Sequence, residues 1–88
     1  MKVSNMTSTN GNAVPNQFII ENNGCSYFHS YDSTIAKIGK NGQITLDKTY
    51  WDYSRTTAKY RNQFTGFDTQ ETKLRIKSGE IKLVNLNK

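Results

Sequence analysis

The stretch STIAKIGKNGQITLD, Ser33 to Asp47, sets the fold class of this chain. Two β-prone runs, Ile35 to Ile38 and Gln43 to Leu46, flank Gly39-Lys40-Asn41-Gly42, and an Asn-Gly pair tolerates the positive φ that a tight hairpin requires. In the second run Ile44 and Leu46 fall on one face, with Gln43 and Thr45 on the other. One wet face predicts an antiparallel sheet covered on one side.

Upstream, QFIIE (Gln17 to Glu21), the turn-forming Asn22-Asn23-Gly24 and CSYFHSY (Cys25 to Tyr31) read as another hairpin. A period of two puts Cys25, Tyr27, His29 and Tyr31 on one face and Ser26, Phe28 and Ser30 on the other, and the burial direction stays open between them. Residues 1–16 are rich in Ser, Thr, Asn and Gly with Pro15 near the end. Such a composition buries little, so a flexible tail is expected, followed by a single small domain over 17–88.

Downstream the period changes from 2 to 3.6. Ser54 is a good N-cap, Arg55 to Phe64 contains neither Gly nor Pro, and Gly66 is placed to stop the run, which predicts a helix over about 54–65. Tyr53, Thr57, Tyr60 and Phe64 share one face, expected to hold the helix to the sheet. Arg55, Lys59 and Asn62 share another, with Arg61 nearby. Asp68 followed by Glu71 resembles a capping box, Glu71 and Arg75 stand at i and i+4, and Gly79 can end a second helix over about 69–78. EIKLVNL (Glu80 to Leu86) reads as a closing strand, with Ile81 and Leu83 on one face and Val84 and Leu86 on the other. The fold class is therefore α+β: a small antiparallel sheet from two hairpins plus a C-terminal strand, packed against one or two short helices.

The chain has 88 residues, enough for one core. Apolar residues make up 34%, and five Tyr, four Phe and Trp51 must supply much of the buried area, with tyrosines at the core edge. A lone cysteine, Cys25, excludes an intramolecular disulfide and fits a reducing compartment. The first residues lack the apolar run of a signal peptide, and no segment approaches the ~20 apolar residues of a membrane helix. A cytoplasmic protein without a membrane partner is expected.

The residue types argue against catalysis. Cys25 and His29 share a strand face but stand about 13 Å apart along it, too far for a thiolate–imidazole pair. Asp32, Asp47, Asp52 and Asp68 each fall at a boundary between elements, where Asp caps helices and makes turns. Neither GxxxxGK nor GxGxxG is present, and one His with one Cys does not make a closed zinc site. A non-enzymatic protein with no cofactor and no metal is expected.

Charge points elsewhere. The net charge is +5, and residues 55–88 hold eight Lys or Arg against three acids while residues 1–54 are neutral overall. Phosphate binding asks only for cations and donors along a surface, with aromatics where bases stack. The candidates are Arg55, Lys59 and Arg61 on the first helix, Lys73, Arg75 and Lys77 on the second, and Trp51 as a stacking ring. A solvated helix face over a Tyr/Phe stripe is the plainer reading of the same residues. Two partner classes fit: nucleic acid, DNA or RNA, or a nucleic-acid-handling host protein that Tyr50, Trp51 and Tyr53 would anchor. Homodimerisation through an exposed strand edge is compatible with a core this thin.

The blocks NGNAVPNQFII (Asn10 to Ile20), SYDSTIAKI (Ser30 to Ile38) and YWDYSRTTAKYRNQF (Tyr50 to Phe64), with a late KSGE (Lys77 to Glu80), resemble a family of short proteins encoded by bacteriophages and related mobile elements. The likeness spans roughly residues 10 to 86. It implies the cytosol of a phage-infected bacterium as the setting and brings no catalytic residue, cofactor or ligand with it. Small phage accessory proteins act typically by binding nucleic acid or by blocking a host machine such as a defence nuclease or polymerase; a virion component is a further reading.

Overall fold

A computed structural model describes residues 1–87 of the chain. Its elements in order are β1 (Lys2–Thr7), β2 (Ala13–Asn22), β3 (Cys25–Ser30), β4 (Ser33–Ile38), β5 (Ile44–Asp47), α1 (Arg55–Thr65), α2 (Thr69–Ser78) and β6 (Lys82–Val84). The strands form one six-stranded sheet in sequence order. β1 to β5 meander antiparallel, and β6 joins β5 in parallel. The expected antiparallel sheet is corrected at this one pair. A parallel neighbour needs a crossover, and α1 and α2 supply it.

Local turns fix the register. Asn22 pairs with Cys25 across Asn23 and Gly24, whose φ values of 55° and 81° suit a two-residue hairpin with both central residues left-handed. The β4–β5 turn closes through Gly39 N–H to Gln43 O at 2.9 Å. A third hairpin, not expected from the sequence, joins β3 to β4 through Tyr31 and Asp32, with Ser30 paired to Ser33. Its turn carries no glycine, and although Asp32 marks a boundary, nothing local announces that the two runs pair with each other.

A bulge in β4 shapes the core. Phe28 pairs with Ala36 and His29 with Thr34, so Ile35 has no partner and both Ile35 and Ala36 point inward. They join Met6, Phe28, Leu46, Tyr60 and Ile81 in the buried cluster. Of the two faces left open in β3, the even one is core: Phe28 and Ser30 are buried. α1 covers this face, with the Phe64 ring 5.9 Å from that of Phe28. The opposite face carries the cross-strand row Val3, Ile20, Tyr27 and Lys37.

The N-terminal segment is not a tail. β1 pairs with β2, and Met6 is 3% exposed in the core. The Asn5 side-chain amide donates to the carbonyls of Met6 and Val14, both at 2.8 Å, across a register shift in β2. Pro15 lies in that irregular stretch, where a missing N–H leaves no ladder bond unmade. Composition misled because an edge strand needs only its ladder and one buried side chain, not an apolar average.

Candidate functional site

The approach to α1 is organised by a buried carboxylate. Asp47 ends β5, 1% exposed. Its Oδ2 accepts from the N–H groups of Thr49 (3.0 Å) and Tyr50 (2.8 Å), and its Oδ1 from that of Leu86 (2.8 Å). Burial pushes this carboxyl up, but the donors from Leu86, Tyr50, Asn87 and Thr49 together outweigh burial and hold it below its ordinary value. The C-terminal segment is thereby tied to the loop that leads into α1. Asn87 continues the tie, its side-chain amide exchanging hydrogen bonds with the Thr34 backbone at 2.7 and 2.8 Å.

Ser54 then starts the helix as expected. Its Oγ accepts from Thr57 N–H at 3.1 Å and donates to Thr57 Oγ1, which lies 3.0 Å from Ser30 Oγ in the core. Tyr53, expected on the packing stripe, instead precedes the cap and is 63% exposed. The true stripe is Thr57, Tyr60, Arg61 and Phe64, the i, i+3, i+4, i+7 pattern of a covered face.

Arg61 therefore occupies a core position, and its assignment as a surface contact is corrected: it is 0% exposed. Its Nη1 donates to Trp51 O at 2.7 Å and lies 3.4 Å from Asp52 Oδ1. Its Nη2 donates to Asn62 Oδ1 and Thr69 Oγ1, both at 2.9 Å. The guanidinium carbon sits 5.2 Å from the Trp51 ring centroid. One side chain thus fastens the loop before α1, α1 itself and the first residue of α2. Desolvation lowers its pKa from the ordinary value, and the Asp52 carboxylate works in the opposite direction. Trp51, expected both to supply buried area and to serve as a stacking ring, is half-buried against the core with Arg61 over its ring.

Arg75 is also committed within the fold. It bonds Glu71 at 2.8 Å, the expected i, i+4 pair, and Glu80, with its guanidinium carbon 3.9 Å from the Phe67 ring centroid. Two neighbouring carboxylates cancel the charge that phosphate binding would use. Arg55, Lys59, Lys73 and Lys77 differ. All four are exposed, and among the described residues none pairs with a carboxylate. Arg55 and Lys59 stand one turn apart on α1, and Lys73 and Lys77 one turn apart on α2. Of the seven residues singled out by sequence, these four remain as exposed cations unpaired among the described residues, two on each helix.

The sequence reading missed a cleft. Ser30, Tyr31, Asp32, Ser33, Ile35, Tyr50 and Tyr53 enclose about 250 Å³ beside the start of α1. The Tyr50 and Tyr53 rings meet edge-to-face, centroids 5.8 Å apart. The one signal available was a bulky Tyr-Asp between two strand-like runs. A larger depression, about 470 Å³, lies between the β4–β5 turn and α2, but its cation is Arg75, already paired to Glu80.

Among the described residues no three His, Cys, Asp or Glu side chains gather into a metal-binding group. His29 Nδ1 lies 3.5 Å from Thr34 Oγ1. No helix among the described residues is long and apolar enough to cross a membrane. Residues 1–81 match a family of unknown function (DUF8033), and the chain belongs to that family. No curated protein and no solved structure matches the chain.

Proposed function

We propose that the protein is a non-enzymatic accessory protein that binds nucleic acid through the outer surfaces of α1 and α2. One observation carries this reading: Arg55, Lys59, Lys73 and Lys77 are exposed cations without carboxylate partners among the described residues, whereas Arg61 and Arg75 are held within the fold. Cations left unpaired on a surface are those that can displace counterions from phosphates. The setting we propose, the cytoplasm of a phage-infected bacterium, rests on the resemblance of the three sequence blocks.

Fluorescence anisotropy with labelled single- and double-stranded oligonucleotides tests the reading. Four phosphate contacts correspond to a slope of log K against log salt of about −3 on a single strand. Replacing all four cations with Ala should flatten that slope toward zero. Absence of binding at low salt would sink the reading.

A second reading, a protein that modulates a host nucleic-acid machine, draws on Tyr53 and Leu74, 63% and 57% exposed, each neighbouring one of these cations. Pull-down from host lysate separates the two. A partner that survives nuclease treatment favours the second reading, and loss of every partner favours the first.

A further inference from the structure

Tyr31 stands in the tight β3–β4 turn with φ of +56°. Bulky L-residues rarely adopt this region, and glycine or asparagine serves such turns at less cost. Tyr31 lies outside the core cluster and is 44% exposed, so part of its ring is open to solvent. An aromatic held at positive φ and partly open to solvent directs attention to what lies against it.

Tyr31 lies against the cleft it shares with Tyr53. Tyr53 is likewise exposed, and the edge-to-face contact with Tyr50 orients its ring. Ile35 and Tyr50 contribute apolar surface, while Ser33 and Asp32 add polar groups. At about 250 Å³ the space falls just below the roughly 300–1,000 Å³ of drug-sized pockets, a size for one flat ring. The Asp32 carboxylate has no side-chain bond or ion pair among the described residues and repels a phosphate. It can accept instead from the amino group of a base, as carboxylates do from cytosine N4. Arg55, two residues beyond Tyr53 and without a carboxylate partner, supplies the charge for the phosphate outside the cleft.

We infer that the Tyr31–Tyr53 cleft seats one unstacked, amino-bearing nucleobase of a single strand while Arg55 and Lys59 engage its backbone. This rests on the nucleic-acid reading and adds to it a preference for single strands over duplex and for cytosine over thymine. An aromatic stack of this kind is sequence-tolerant, and the preference among bases comes from Asp32.

The test uses full-length protein at low salt with labelled oligo(dC), oligo(dT), their RNA counterparts and a duplex of equal length. Stacking energies measured by alanine substitution imply a loss of about five- to hundredfold in single-strand affinity for Tyr53→Ala and Tyr31→Gly. Duplex affinity should stay unchanged, Tyr31→Phe should bind as the parent does, and Asp32→Asn should narrow the gap between oligo(dC) and oligo(dT). Relief of the positive φ and the entropic cost of glycine offset each other in Tyr31→Gly, so a melting temperature close to the parent's shows that a weaker complex is not the result of a weaker fold. If the parent binds single strands and both tyrosine variants bind equally well, the cleft is not the seat and only the surface reading survives. Equal losses on duplex and single strand overturn it as well. No binding by the parent to any oligonucleotide removes both readings together.

Discussion

Arg61 and Lys59 stand two residues apart on α1, yet one is sealed against Trp51 and the other lies in water. The inner face of the helix uses a cation as a structural part, its Nη1 and Nη2 bonded to Trp51 O, Asp52, Asn62 and Thr69 while Nε is left without a partner among the described residues. The outer face presents Arg55 and Lys59 with no carboxylate attached among the described residues. The difference teaches that position in the helical repeat, not residue type, decides whether a charge serves the fold or a partner. Removing charge from one face should therefore alter stability, and from the other, binding.

The largest effect belongs to Arg61. Arg61→Ala leaves a cavity and strips donors from Trp51 O, Asn62 and Thr69, and breaking a buried charged network of this kind costs about 3–5 kcal/mol. Asp52 is 43% exposed and can rehydrate, which favours the lower end of that range. Arg61→Met, which fills the volume without the donors, should recover part of the loss. Urea denaturation measures both. A cost under about 1 kcal/mol for Arg61→Ala would erase the contrast between the two faces.

Asp47 extends the inner-face logic to a carboxylate. Its folded pKa is depressed by the donors from Leu86, Tyr50, Asn87 and Thr49 despite burial, so its contribution is complete well above the unfolded value of about 3.9. It is lost as pH falls through the lower folded value. Asp47→Asn should cost about 2 kcal/mol at neutral pH, since hydrogen bonds to a charged acceptor are worth about 1.5–3 kcal/mol. It should also flatten the acid limb of stability below about pH 4. An acid limb identical to the parent's would show that Asp47 is not the group that titrates.

Gln17 is the counterexample within the core. It is 0% exposed like Arg61, but neither its Oε1 nor its Nε2 has a hydrogen-bond partner. A buried group left unsatisfied costs about 1–3 kcal/mol, and an apolar residue of similar size avoids this. Gln17→Leu should therefore stabilise the protein by about 1 kcal/mol, read as a higher denaturation midpoint at unchanged slope. A loss on the same substitution would mean that the amide is satisfied in solution.

What the sequence disclosed and what it hid divide along the same line. Ser54, Gly66, Asp68 and Gly79 mark both helices because caps are local chemistry, and Asn23-Gly24 marks a hairpin for the same reason. The Tyr31–Asp32 turn escaped because its geometry is imposed by the strands on either side against the preference of its residues. β1 escaped because its ladder, not its side chains, holds it. Arg61 is legible in retrospect: counting i, i+3, i+4, i+7 from Thr57 lands on it, whereas starting the stripe at Tyr53 placed it with the surface cations. The cleft as a whole was not legible, since Tyr31 and Tyr53 come to line one space only once the sheet and the helix are assembled.

The smallest expected effect on stability is the one that sharpens the contrast most. Arg55→Ala, Lys73→Ala and Lys77→Ala remove exposed side chains with no carboxylate partner, so each should leave stability within about 0.5 kcal/mol of the parent. Lys59 is a partial exception, because its ammonium lies 5.4 Å from the Tyr60 ring centroid, and an exposed contact of that kind is worth about 0.5–1 kcal/mol. Each variant should nonetheless reduce the salt slope of single-strand binding by about 0.7, one phosphate contact's share. An outer-face variant that lowers stability while leaving the slope intact would reverse the division of labour, because the cation would then belong to the fold as Arg61 does.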